Sequence, residues 1–169
     1  IGVRVVGRGV DTRLFDPQRH SPALRQAWGL APGALACLYV GRLAAEKNLA
    51  LIEKSFAAIQ HVLPSAKMIW VGDGPSAAHL RSAHPDHYFA GTRLGDDLAT
   101  HYASADLFLF PSLSETYGNV VAEAMASGLP VLAYRSAAAA ELISDGVNGQ
   151  LAPPGDEASF LTAALALAK

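Results

Sequence analysis

Two kinds of segment alternate along the 169 residues of the chain. Short runs rich in β-branched, aromatic and leucine residues read as strands: Val3–Val6, Leu35–Val40, Lys67–Gly72, His87–Ala90, Asp106–Phe110 and Pro130–Ala133. Longer runs with helical spacing separate them. Within Asn48–Leu63, the residues Leu49, Ile52, Phe56 and Ile59 recur at steps of three and four and form one apolar stripe. Ser21 followed by Pro22 predicts an N-cap with proline at the first helical position. Further helices are expected over Leu98–Ala105 and over Gly118–Ser127, the latter stopped by Gly128 with Pro130 behind it. A last helix is expected from Asp156 to the end. Strands that are almost continuously apolar and alternate with helices are parallel strands covered on both faces. The expected fold class is therefore α/β, a doubly wound parallel sheet of about six strands with helices on both faces.

Composition narrows the partners more than the fold. Apolar residues make up 51% of the chain and charged residues 17%, which excludes a disordered segment. Thirteen Lys and Arg against fifteen Asp and Glu leave a net charge of −2, where a general nucleic-acid binder would be basic, so no nucleic-acid partner is expected. The single cysteine, Cys37, has no internal disulfide partner, and its run Leu35–Val40 marks it as a small buried hydrophobe. That fits a reducing, cytoplasmic setting. No uncharged apolar stretch reaches the roughly 18 residues needed to span a bilayer. The chain lacks a Met at position 1 and stops inside a helical run, so it reads as a domain excised from a longer protein.

In a doubly wound sheet, ligands bind beyond the carboxyl ends of the strands. The residues found there are Gly7-Arg8-Gly9, Gly41-Arg42, Gly72-Asp73-Gly74-Pro75, Gly91-Thr92-Arg93 and Pro111 to Asn119. Gly72 to Ala77 matches G-x-G-x-x-A, but the next strand ends in Ala90-Gly91 without the acid that would hold a ribose, so a structural turn is the better reading. There is no P-loop, no G-x-S-x-G and no Asp-x-Asp, and His84 with His87 lacks further ligands for a metal. Two segments resist a purely structural account. Arg42 and Lys47 lie between a strand and a helix start, where cations oppose the helix dipole by a few tenths of a kcal/mol unless an anion joins them. The alternative is a solvated loop in which Glu46 pairs either cation. In the second segment, Glu115 precedes a helix start near Gly118, and Glu123 lies inside an otherwise apolar helix. Glu123 is then either exposed by chance or hydrogen-bonded. Free N–H groups at that helix start suit a phosphate, and the flanking carboxylates suit sugar hydroxyls.

The run Pro111-Ser112-x-x-Glu115-x-x-Gly118-x-x-x-x-Glu123-Ala124-Met125-Ala126-x-Gly128-x-Pro130-Val131 resembles the E-x7-E signature of the retaining GT-B glycosyltransferases of family 4, the group 1 transferases. Other family segments follow in order: Gly9-Val10-Asp11 with Phe15-Asp16-Pro17, Gly41-Arg42 with Glu46-Lys47-Asn48, Gly72-Asp73-Gly74-Pro75, and Asp145-Gly146-x-Asn148-Gly149. Tyr117 stands where Phe is commoner, and Ala137–Ala140 replaces a Gly-rich segment. The resemblance implies a Rossmann-like C-terminal half of a GT-B fold that binds a UDP- or GDP-linked sugar with no metal and no further cofactor. It implies that Arg42, Lys47 and Glu115 form the catalytic set, the two cations on the diphosphate leaving group and Glu115 on the donor sugar. Gly41, Tyr117 and the backbone amides of Gly118, Asn119 and Val120 would complete the donor site. Glu123 would bind the ribose hydroxyls, and Gly91, Thr92, Arg93 and Leu94 would line the base. The implied partners are the missing N-terminal half and a sugar or lipid acceptor, with membrane contact through that half left open. The 169 residues alone are expected to be inactive. An epimerase or synthase on the same scaffold, and a nucleotide-binding module without chemistry, are the alternatives.

Overall fold

The computed structural model describes residues 9–114 and 119–169. The expected strand Val3–Val6 and the loop residues Gly7 and Arg8 lie outside them. Among the described residues six parallel strands form one sheet: β1 (Ala36–Val40), β2 (Lys67–Val71), β3 (Tyr88–Gly91), β4 (Leu107–Phe110), β5 (Val131–Tyr134) and β6 (Gly149–Ala152), in the order β3-β2-β1-β4-β5-β6. The strand order reverses between β1 and β4, so the crevice of this doubly wound sheet opens above those two strands. β1, β4 and β5 are buried along their whole length, as strands covered on both faces must be.

The helices are α1 (Pro22–Ala27), α2 (Leu49–Val62), α3 (Ala77–Ala83), α4 (Gly95–Ser104), α5 (Asn119–Ala126), α6 (Ala137–Leu142) and α7 (Glu157–Leu167). Right-handed crossovers put α2 on one face and α4, α5 and α6 on the other. α7 packs on α2, while α5 packs against both α4 and α6. The expected cap is present: Ser21 Oγ accepts the Leu24 N–H at 3.1 Å with Pro22 at the first helical position. The stripe of α2 is buried as the spacing requires. Between the layers, Trp70, Tyr39, Phe108, Phe56 and Phe160 fill the core. Cys37 lies among them, fully buried, and burial pushes its thiol pKa far up, so it stays a protonated hydrophobe.

The sequence reading did not resolve β6, α3 or α6. In β6 the one large apolar residue is Leu151, and the strand pairs along β5 where Gly149 has no room for a Cβ beside the Val131 carbonyl.

His84, Asp86 and His87 come together, and Glu53 Oε1 lies 2.6 Å from His84 Nε2. The two imidazoles stack at 4.3 Å and 4°, so their in-plane lone pairs run side by side rather than converging on one ion. His87 Nδ1 also accepts the Trp70 Nε1–H at 3.0 Å. The cluster therefore packs the edge of the sheet. Burial first, then the neighbouring His84, depresses the His87 pKa from 6.5 to about 4. The unfolded chain thus takes up this proton before the folded one does. Stability from this residue is present above about pH 6.5 and is lost as pH falls to about 4. His87→Asn keeps an acceptor for Trp70 and removes the titration. It is expected to flatten the dependence of Tm on pH across that window; an unchanged slope would assign the acid sensitivity to other groups.

Candidate functional site

The site is built by two loops that leave the sheet at the switch point. The first runs from Gly41, after β1, through a 3₁₀ turn at Ala45–Lys47 to α2. It rests on the loop after β2, where the Leu43 N–H bonds the Asp73 carbonyl and the Ser76 N–H bonds the Leu43 carbonyl, at 3.0 and 2.8 Å. Gly72 sits at φ +133°, and a Cβ there would overlap the Gly41 carbonyl oxygen. The G-x-G turn therefore lets backbone meet backbone, in agreement with the structural reading of that motif. From below, Tyr39 donates its hydroxyl to the Arg42 carbonyl at 3.0 Å.

The second loop, Pro111–Ser114 after β4, is tied to the first. Asn48 adopts a left-handed conformation at φ 56°, which asparagine tolerates better than most residues, and its Nδ2 reaches the Pro111 carbonyl at 3.3 Å. Ser114 Oγ lies 3.4 Å from the Glu46 carbonyl. These ties seat the Arg42–Lys47 segment beside the loop that leads into α5. Arg42 Nη1 is 3.8 Å from Glu46 Oε1, with the two side chains 63% and 51% exposed. The expected pairing of Glu46 with a loop cation is present with Arg42. So exposed a pair contributes on the order of 0–1 kcal/mol. Lys47 is half-buried at the end of the 3₁₀ turn.

Asn119 and Val120 open α5 with their backbone N–H groups in the first turn. Glu115, Tyr117 and Gly118 lie outside the described residues. One turn into α5, Glu123 is half-buried and accepts the Tyr102 hydroxyl on Oε2 at 2.9 Å. The sequence left this carboxylate either exposed by chance or hydrogen-bonded, and it is hydrogen-bonded. Burial raises its pKa above the ordinary value, and the Tyr102 bond opposes that rise. In the loop after β3, Arg93 bonds back to the Ala90 carbonyl and to Asp97, both at 2.9 Å, while Thr92 and Leu94 face solvent. Gly91 closes β3 and accepts the Gly72 N–H. Sequence reasoning missed Asn48, Ser114 and Tyr102 as parts of this arrangement. Only the left-handed backbone and the packing of α4 on α5 reveal them.

A parallel sheet in this order defines a doubly wound α/β domain with its ligand crevice at the switch point. A sequence profile of the family described as "Glycosyl transferases group 1" matches residues 34–169. The chain belongs to that family. It is 38% identical over 157 residues to a GDP-mannose-dependent alpha-mannosyltransferase of Corynebacterium glutamicum, covering 93% of this chain and 37% of that protein. It is 37% identical over 166 residues to a sulfoquinovosyl transferase of Arabidopsis thaliana, covering 95% of this chain and 32% of the other. The chain thus spans about a third of the length of these relatives. Among solved structures, Anabaena HepE in complex with UDP-glucose superposes with a TM-score of 0.74 at 27% identity, over 98% of this chain and 52% of that one.

Proposed function

We propose that this chain is the C-terminal, donor-binding half of a GT-B glycosyltransferase. The enzyme would transfer a sugar from a UDP- or GDP-linked donor to a sugar or lipid acceptor with retention of anomeric configuration. The bond from the anomeric carbon to the diphosphate oxygen breaks, the diphosphate keeps the electron pair, and the acceptor oxygen forms the new bond and loses its proton. The observation that carries the reading is the pair of loops joined at the switch point, in which the segment carrying Arg42 and Lys47 is tied to Pro111 and Ser114 of the loop after β4. Relatives that are named for a GDP-linked donor, or were crystallised with UDP-glucose, support it. In this reading Arg42 and Lys47 neutralise the departing diphosphate in place of a metal, with the α5 amides. Glu115 takes the donor-sugar hydroxyls and Glu123 the ribose.

The test is calorimetric titration of UDP, GDP and the corresponding nucleotide sugars into the full-length protein, with and without EDTA. One of the two diphosphates is expected to bind, and to bind equally well in EDTA. A hydrogen bond from a hydroxyl to a carboxylate is worth about 1.5–3 kcal/mol. Glu123→Gln should therefore weaken bare diphosphate and nucleotide sugar alike, by about ten- to a hundred-fold. Glu115→Gln should weaken only the sugar-bearing form. Absence of binding by every nucleotide overturns the function, and loss of binding in EDTA overturns its metal-free form.

A further inference from the structure

Tyr102 stands out as a polar group whose role the donor site does not yet use. It lies in the last turn of α4, with 0% of its surface exposed. Its ring is wedged between Phe15, edge-on at 5.7 Å, and Phe108, tilted at 5.8 Å. A ring held on two sides cannot swing its hydroxyl to another partner without disturbing the core. The proton of that hydroxyl goes to Glu123 Oε2, 2.9 Å away on the neighbouring helix.

The direction of the contact matters. Side chains on a helix lean toward its N-terminus. Glu123 therefore leans toward the end of α5 that opens on the crevice, and Tyr102 reaches it from the side. A carboxylate presents about four lone-pair directions on its two oxygens. The phenol takes one on Oε2, which fixes the plane of the group and leaves acceptor capacity for a pair of neighbouring hydroxyls. We propose that Tyr102 is a positioning residue for the donor site: it holds the Glu123 carboxylate in the orientation that accepts the two hydroxyls of a ribose. This rests on the assignment of Glu123 to the ribose made above.

The charge states agree with that role. Burial, then the adjacent Glu123 charge, raises the Tyr102 pKa well above its ordinary value, so the phenol stays protonated and remains a donor. Burial alone would favour the protonated form of Glu123, and the phenol's hydrogen bond favours the carboxylate that hydroxyls need as an acceptor.

The experiment compares ribose with 2′-deoxyribose ligands. UDP and 2′-deoxy-UDP, and GDP and 2′-deoxy-GDP, are titrated into the full-length protein, and the pair that binds tighter is followed. The wild type is expected to prefer the ribose form by roughly ten- to a hundred-fold. Tyr102→Phe keeps the ring and removes the proton. It should cut that preference to within about threefold, while the 2′-deoxy ligand binds as it does to wild type. A merely structural role would weaken both ligands together and leave the ratio unchanged. In a Glu123→Gln background, Tyr102→Phe should have no further effect on the ratio. Glu123→Asp, at a partly exposed helix position, keeps a carboxylate but draws it away from the phenol, and it too should lose the preference. It serves as the test if Tyr102→Phe fails to melt cooperatively. A wild type that does not discriminate refutes the ribose role of Glu123. Discrimination that Glu123→Gln abolishes, but Tyr102→Phe or Glu123→Asp retains, refutes the role of Tyr102 alone.

Discussion

In the proposed transfer reaction, Arg42→Ala and Lys47→Ala are each expected to lower the turnover of the full-length protein by about 10²–10³-fold. That is the usual cost of removing one fixed donor aimed at charge developing in a transition state. In the proposed reaction that charge is on the diphosphate leaving group, and its stabilisation grows as the anomeric bond breaks, so the loss should fall on kcat rather than on KM alone. Arg42 sits at the surface, and its contact to Glu46 spans 3.8 Å between exposed groups. Its removal should therefore leave Tm within the small range typical of surface substitutions. Arg42→Lys should recover only part of the activity, because a point charge replaces a planar fork that can engage two phosphate oxygens at once. Turnover close to wild type in either alanine variant would show that the cations serve the loop and not the reaction.

The second large effect is on folding. Gly72→Ala is expected to destabilise the chain by at least about 3 kcal/mol. Part is backbone strain of about 1–3 kcal/mol at φ +133°, and the rest is overlap of the new methyl with the Gly41 carbonyl oxygen. For a chain of this size that corresponds to a fall in Tm of roughly 6–12 °C. Gly146→Ala is the control: its φ is +77° and nothing lies within 4 Å of the added Cβ, so only the strain remains. Thermal melts of the two variants side by side read the difference. Equal melting temperatures would mean that the loop after β1 can move aside, and that its position is not set by the loop after β2.

These two cases show what the sequence carries and what it does not. β1 and β4 are legible because strands covered on both faces are written as unbroken apolar runs, Leu35 to Val40 and Leu107 to Phe110. β6 is not, because Gly149-Gln150-Leu151-Ala152 has one large apolar residue and gains its burial from β5 and α7. The alanine run that forms the start of α6 has high helix propensity but no polar–apolar stripe to announce it. Arg42 and Lys47 stand out in the sequence as candidates, since cations just before a helix are electrostatically out of place. Glu123 could be found as an acid in an apolar helix. Tyr102 could not, because an aromatic on the buried face of an amphipathic helix is what a core looks like, and its ring is core. Its hydroxyl acquires a role only when α4 lies against α5, and no periodicity encodes that neighbour. The ties of Asn48 and Ser114 across two loops are likewise products of tertiary structure, joining residues 63 and 68 positions apart in the chain.

The sealed thiol of Cys37 gives this chain a practical property. A maleimide or iodoacetamide reacts with thiolate, and a fully buried sulfur held protonated offers neither access nor nucleophile. For labelling purposes these 169 residues behave as though they contained no cysteine. A single cysteine introduced at Leu94, 76% exposed in the loop after β3, would therefore carry a fluorophore at one known position at the carboxyl end of the sheet. Emission from that position would read the surroundings of the loop after the edge strand β3, without an acceptor and without turnover.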